Sequence, residues 1–170
     1  MRRLRYSVAM SLDGYIAGPG GEYDWITTDP TLDFAALFRQ FDLFVMGRKT
    51  FEAFQKGPAS GMKVVVVSRT LQPADHPGVT IIGSGVAEAV AALKAEPGKD
   101  IWLFGGGSLF RSLLDAGLVD TVEVSVMPVL LGGGIPMLPA GRRSPPLRLT
   151  SSNALPSGIV MLTYTVPEHP

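Results

Sequence analysis

Cysteine is absent from this 170-residue chain. Disulfides, thiolate metal sites and cysteine nucleophiles are therefore excluded. Histidine occurs only as His76 and His169, too isolated to form a ligand-spaced set, so no protein-held transition metal is expected. An excess of charge is missing too, because 15 acidic side chains balance 15 basic ones. No net field then draws the chain to nucleic acid or to an anionic membrane, and any recognition of an anion has to be local. No apolar run approaches the ~20 residues of a membrane span. The opening MRRLRYSVAM is basic and then apolar, as a leader is, but the apolar part is short and Asp13 ends it. The expectation is a cytoplasmic protein with one domain over 1–170, its 46% hydrophobic content suited to a substantial core.

What the chain does have is glycine, placed after apolar strands. Ile101 to Phe104 reads as a buried strand, followed by Gly105-Gly106-Gly107 and a helix. Ser108 is the expected N-cap, Leu109, Phe110, Leu113 and Leu114 the apolar face, and Gly117 the C-cap. Such a turn lets a phosphate approach the backbone while the free amides of the helix start point at it. The spacing does not complete a dinucleotide fingerprint, since Phe110 stands where the third glycine belongs, and no lysine follows to make a P-loop. Gly83-Ser84-Gly85 fails both tests as well. Taken alone, the triple glycine reads equally as a tight turn where a helix packs on a sheet.

In chain order, Leu4–Met10 reads as a strand and Ser11–Gly21 as a glycine-rich loop interrupted by Tyr15 and Ile16. Asp29-Pro30 has the form of an N-cap with proline in the first helical position. Phe34, Leu37, Phe38 and Phe41 then make one helical stripe. Leu43–Met46 is a short strand leading into a helix through Phe54. Lys63–Val67 has the continuous apolar character of a strand inside a parallel sheet. A strand over Val79–Ile82, a helix over Val86–Lys94 and a strand over Thr121–Met127 follow. Pro128–Pro146 reads as a Gly/Pro-rich loop, and Leu147–Asn153 with Ile159–Val166 as a closing antiparallel hairpin. Strands alternating with helices, then an antiparallel edge, give an α/β three-layer fold with a mostly parallel sheet.

Three strand ends carry related chemistry: Gly47-Arg48-Lys49-Thr50, Ser68-Arg69-Thr70 and Gly105-Gly106-Gly107-Ser108. In an open α/β sheet the carboxyl ends of parallel strands share one edge, where ligands bind. Two turns offer cations and hydroxyls and the third bare backbone, a combination suited to several phosphates. Singly, each also reads as solvated surface.

These motifs, with Val8–Ala17, Val66–Leu71, Leu113–Asp120 and Val126–Pro136, resemble the dihydrofolate reductase-like superfamily. The resemblance is nearest to the reductase domain of bacterial riboflavin biosynthesis and its stand-alone relatives. It spans nearly the whole chain in order and implies an NADPH-dependent reductase of a small heterocycle, a pyrimidine of the riboflavin pathway or a pterin-like compound. On this likeness Gly47, Arg48, Lys49 and Thr50 hold cofactor phosphates, together with Gly105, Gly106, Gly107, Ser108 and Leu109. Ser68, Arg69 and Thr70 surround the 2′-phosphate. Ala9 and Ile16 hold the nicotinamide carboxamide through their backbones, and Gly105-Gly106 falls where the family has a cis peptide. A homodimer is implied as well, with Pro128–Pro146 and the closing hairpin at its interface.

Catalytic groups are less legible. The family's substrate-holding helix carboxylate falls near Phe34 here, which puts folate reduction in question. Asp24 and Asp13 are the candidate acid–base carboxylates; Asp13 also reads as a turn stabiliser and Asp24 as surface. Trp25, Phe34 and Phe38 are candidates to stack on a flat substrate, with core packing as the other reading of Trp25 and Phe38. The zinc deaminase half that accompanies the riboflavin reductase needs cysteines this chain lacks. The alternative function is a nucleotide-binding regulatory module with the same fold and no catalysis.

Overall fold

The computed structural model describes residues 1–54 and 61–167. Its strands are β1 (Leu4–Ser11), β2 (Tyr15–Ala17), β3 (Phe41–Gly47), β4 (Lys63–Val67), β5 (Val79–Ile82), β6 (Asp100–Gly105), β7 (Thr121–Met127), β8 (Ile135–Pro136), β9 (Arg148–Ala154) and β10 (Val160–Thr165). Its α-helices are α1 (Phe34–Phe38), α2 (Arg48–Ala53), α3 (Val86–Ala95) and α4 (Gly107–Asp115). Eight strands form one sheet in the order β5-β4-β3-β6-β1-β7-β10-β9. The first six run parallel, and β10 is antiparallel to both β7 and β9. A small antiparallel pair, β2 with β8, stands apart. The expected mixed sheet with its closing hairpin is therefore present.

Parallel strands buried on both sides need apolar residues on both sides, and β3 and β4 supply them. On one face Leu4, Tyr6, Leu43, Val45, Val65, Ile101 and Leu103 meet α3 and α4 through Val90, Leu109, Phe110, Leu113 and Leu114. Tyr6 lies flat on Phe110, with ring centroids 3.8 Å apart. On the other face Phe41, Phe44, Met46, Val66 and Trp102 meet Leu37 and Phe38 of α1 and Phe51 of α2. Phe41 and Phe44 share a face despite their odd spacing because the β3–β6 register shifts between Phe41 and Leu43.

Local readings are corrected at three helix starts or ends. The aromatic stripe from Phe34 stops at Phe38; Phe41 opens β3 and packs its ring 4.8 Å from Trp102. Asp29 does not cap α1. Asp33 does, accepting from the Ala36 amide at 2.8 Å, because the Asp29 carboxylate is engaged elsewhere. Ser108 does not cap α4 either: the helix begins at Gly107, two residues earlier than that reading, with Gly106 at the cap. Gly117 takes the expected left-handed conformation just past that helix, with φ of 69°.

The basic N-terminus is consumed in fastening the amino ends of the parallel strands. Arg2 pairs with Asp42 and donates to the Lys99 carbonyl. Arg3 pairs with Asp100 at 2.9 Å, and Arg5 with Glu123 at 2.6 Å while lying over the Phe41 ring. Lys94, buried, reaches Asp120 at 2.7 Å and the Leu118 carbonyl at 2.6 Å. Among the described residues no helix is long and apolar enough to cross a membrane.

Candidate functional site

The opposite edge of the sheet collects the carboxyl ends of the parallel strands. Register sets Met46 of β3 beside Gly105 of β6. A Cβ added at Gly47 would stand 3.8 Å from the Gly106 nitrogen and 3.9 Å from the Gly105 oxygen. The Thr50 hydroxyl lies 3.8 and 3.6 Å from the Cβ positions of Gly105 and Gly106. The ends of β3 and β6 thus meet as bare backbone with one hydroxyl beside it. The Gly105–Gly106 peptide is cis, as the resemblance implied. As at any helix start, the Gly107, Ser108 and Leu109 amides have no partner within α4, and no side chain caps them. In this first turn Gly107 and Leu109 are buried and Ser108 is exposed. The structure holds Gly107 glycine for a second reason. A Cβ there would sit 2.7 Å from the Pro136 oxygen and 2.9 Å from the Met137 oxygen.

The end of β4 is equally rigid. Ser68 is buried, donates its amide to the Ile82 carbonyl at 3.0 Å, and accepts from the Thr70 and Leu71 amides at its Oγ. This turn presents Arg69 and Thr70 outward, next to the end of β5. Arg48 is paired with Glu52 one turn along α2 at 3.0 Å, whereas Lys49 is exposed. Arg48, Arg69 and Gly106 therefore belong to one edge of one sheet, as the sequence motifs require.

Ala9 is set by a divergence of strands. The β1–β6 ladder stops at Tyr6–Leu103, while the β1–β7 ladder continues to Ser11–Met127. Backbone directions alternate along β1. Leu4 bonds toward Asp120 on the β7 side, whereas the Arg3 and Ser7 carbonyls accept from Ile101 and from the Trp102 indole on the β6 side. By that alternation the Ala9 amide and carbonyl face the gap opening between β1 and β6, beside Gly105. Ile16 sits in the middle of β2, between the Tyr15 and Ala17 pairs to β8.

The two candidate carboxylates differ. Asp13 accepts from the Ser11 hydroxyl at 2.7 Å, the Leu131 amide at 3.0 Å and the Gly132 amide at 2.7 Å. These donors, Ser11 first, hold its pKa down at about 2. Asp13 is thus an ionised clip fastening the loop after β7, and a carboxylate held so low stores no proton near neutrality. That corrects its reading as a catalytic acid. Asp24 is exposed on a turn closed by the Ile26 amide, with no side-chain hydrogen bond among the described residues. Neighbouring Trp25 is half-buried, its indole N–H donated to the Glu22 carbonyl at 3.0 Å. Phe38 is corrected from substrate contact to core, with its ring 5.4 Å from Trp102 and 6.3 Å from Phe44. Phe34, 44% exposed at the start of α1, remains available.

Two features escape sequence reading. Asp29 is only 2% exposed and ties the loop before α1 to the turn of the closing hairpin, accepting from Thr31 and from the Ser157 amide at 3.0 Å. Ser157 and Thr31 hold its pKa well below the ordinary carboxylate range. The second is an aromatic chain: Tyr23 stacks on Phe54 at 5.4 Å, and Phe54 meets Phe104 edge-on at 5.0 Å, next to Gly105. An aromatic residue just before a glycine turn is the one signal that pointed there. Among the described residues no group of His, Asp and Glu is arranged to hold a metal.

Comparison with known proteins gives the following. The RibD C-terminal domain family matches residues 2–161. The uncharacterized protein YyaP of Bacillus subtilis (strain 168) is 34% identical, over 96% of this chain and 94% of the relative. A Shewanella sp. PV-4 protein named for riboflavin biosynthesis superposes with a TM-score of 0.83 at 27% identity, covering 99% of this chain and all of that one. A Thermotoga maritima deaminase and 5-amino-6-(5-phosphoribosylamino)uracil reductase shares the fold, with a TM-score of 0.72 at 16% identity. This chain covers 57% of it.

Proposed function

The chain belongs to the RibD C-terminal domain family, and on that premise we propose that it is an NADPH-dependent reductase acting on a small heterocycle, a pyrimidine or pterin-like ring. The observation that carries the reading is the convergence of Gly47–Thr50, Ser68–Thr70 and Gly105–Gly107 on one sheet edge. Gly47, Gly105 and Gly106 leave a floor that side chains would fill, which fits a dinucleotide laid against backbone. The uncapped amides of α4 suit a pyrophosphate. Arg69, with Ser68 and Thr70, suits a 2′-phosphate, and a neutral 2′-hydroxyl would leave that guanidinium unrewarded. Lys49 and Arg48 add charge from the next turn.

When bound, the cofactor supplies the hydride. The chain's task is orientation. The Ala9 and Ile16 backbones would hold the carboxamide, and Trp25, Phe34 and Phe54 would line the substrate side. Asp24 is the carboxylate left with no side-chain hydrogen bond among the described residues on this side, and we assign it the handling of the substrate proton. A homodimer joined through β9 and β10 is part of the proposal, because every residue of β9 is exposed, Leu149 among them. Light scattering at twice the chain mass supports it, and a monomer refutes it.

A second reading, a nucleotide-binding module without chemistry, draws on Phe34 standing where the family's helix carboxylate belongs. NADPH oxidation with a panel of pyrimidines, pterins and simple carbonyls decides. Steady turnover of any member supports the reductase. Tight NADPH binding with no turnover across the panel supports the module.

A further inference from the structure

Charge is sorted across this sheet edge. Its cations follow β3 and β4: Lys49 and Arg69 are exposed, and Arg48 is partly buried and paired with Glu52. The half beyond Gly105–Gly106 is built from the loops after β1 and β7 and from the turn between β9 and β10. From Ser11 to Phe38 the chain carries five carboxylates (Asp13, Glu22, Asp24, Asp29 and Asp33) and no lysine or arginine. Ser112–Gly141 and Leu149–Pro170 also contain no lysine or arginine, and the loop after β7 carries its two exposed arginines, Arg142 and Arg143, beyond that stretch. Four of the five carboxylates are committed to holding the loops. Asp13 fastens Leu131 and Gly132, Asp29 fastens Thr31 and Ser157, Asp33 caps α1, and Glu22 accepts from the Gly20 amide at 2.9 Å. The hydrogen bonds to Asp13 and Asp29 hold both carboxyls below the ordinary carboxylate range, so these two stay charged at neutral pH.

The same half is aromatic and flat. Tyr23 and Phe54 stack with planes 21° apart, 49% and 39% exposed, and Phe54 leans on Phe104. Along the sheet face that carries Trp102, β1 and β7 contribute the small residues Ser7, Ala9 and Ser125 toward this edge, with buried Met127, paired to Ser11, at its end. Aromatic walls over a floor of small residues suit a planar ring entering edge-first.

We infer that the substrate of this reductase is a planar ring bearing no phosphate or carboxylate, neutral or cationic, which distinguishes it from a phosphoribosyl-pyrimidine substrate. This rests on the reductase reading and specifies its substrate. Of the cations bordering this half, Arg39 is paired with Asp33, and Arg142 and Arg143 lie in the part of the loop after β7 that Arg111 of α4 fastens on the opposite sheet face. A phosphate dianion entering over the Trp102 face would therefore meet carboxylates first, whereas nucleotide phosphates would meet Arg48, Lys49 and Arg69 in the other half. Selection by charge sign needs no contact with the reacting carbon, so it is independent of which ring is reduced.

The test uses the full chain saturated with NADPH and a matched panel. One pair is a ribosylamino-pyrimidine with and without its 5′-phosphate; another is a pterin in neutral, cationic and carboxylated forms. Turnover is measured by NADPH oxidation, and binding by calorimetry on the NADP⁺-loaded protein at millimolar ligand. The expected result is at least about a tenfold advantage in kcat/KM or affinity for the members without an anionic group. Thr27→Lys, which adds a cation to this half, shifts that ratio several-fold toward the phosphorylated member. Lys56 lies outside the described residues and is tested directly by Lys56→Ala, which leaves the ratio unchanged. Preference for the phosphorylated or carboxylated members overturns the inference while the reductase stands. So does failure of every neutral and cationic member to bind or react. Failure of NADPH itself to bind overturns the reductase reading, a separate result in the same experiment.

Discussion

Gly47→Ala separates folding from binding at the candidate site. Gly47 has φ −80° and ψ 164°, extended backbone that alanine adopts without strain. The added methyl meets nothing closer than 3.8 Å, ordinary contact distance. Loss of chain freedom in the unfolded state favours the variant by about 0.4–1 kcal/mol. Alanine is a poorer N-cap than glycine for α2, by about 0.5–1 kcal/mol. The two nearly cancel, leaving a net change within about 1 kcal/mol and a Tm shift within about 3 °C for a chain of this size. The methyl does, however, project onto the backbone floor where the dinucleotide would lie. Forcing one carbon into such a contact costs about 1–3 kcal/mol, or about 5- to 150-fold in Kd for NADPH. Thermal unfolding without ligand and a fluorescence titration with NADPH read the two effects separately. Unchanged NADPH affinity would refute the placement of the cofactor over Gly47. A Tm loss beyond about 6 °C would refute the open geometry itself.

Other perturbations read other parts of the structure. Gly107→Ala drives a methyl against the Pro136 and Met137 carbonyls at under 3 Å, and about 1–3 kcal/mol of stability is lost even without cofactor, seen as a lower Tm. Lys94→Met leaves the Leu118 carbonyl and part of Asp120 without their donor; because Asp120 is about one-third exposed, the cost is about 2–3 kcal/mol by denaturant unfolding, below that of a fully buried pair. Asp13 is held at a pKa of about 2, below its unfolded value near 4, so its contribution is complete above that value and disappears as pH falls toward 2. Asp13→Asn therefore flattens the loss of Tm between about pH 4 and 2, and an unchanged acid limb would contradict the clip.

Legibility followed the range of the interactions involved. Lys63–Val67 was readable because a valine run buried on both faces has few other uses, and its bounds match β4. The three turns of the candidate site were readable because each stands directly after an apolar strand. The helix stripe through Phe41 failed because its i+7 aromatic also suits a strand, and Trp102, 61 residues on, decides in favour of β3. Asp29-Pro30 looked like a helix start, yet the Ser157 amide, supplied by the far hairpin, claims that carboxylate. Ala9 could be aligned with a backbone role, but the gap its amide faces depends on β1 and β6 separating after Tyr6 and Leu103, a feature of two strands at once. The Tyr23–Phe54–Phe104 chain joins three distant segments and has no local periodicity to betray it.

The most direct measurement is the ratio of NADH to NADPH dissociation constants, followed through tryptophan fluorescence in the native chain and in Arg69→Ala. The native chain should bind NADPH much the tighter, and the variant should lose about 1–3 kcal/mol of that preference, about 5- to 150-fold, while NADH affinity stays nearly constant. Equal affinities in the native chain, or a preference that survives loss of Arg69, would contradict a cradle for a doubly charged nucleotide at this sheet edge.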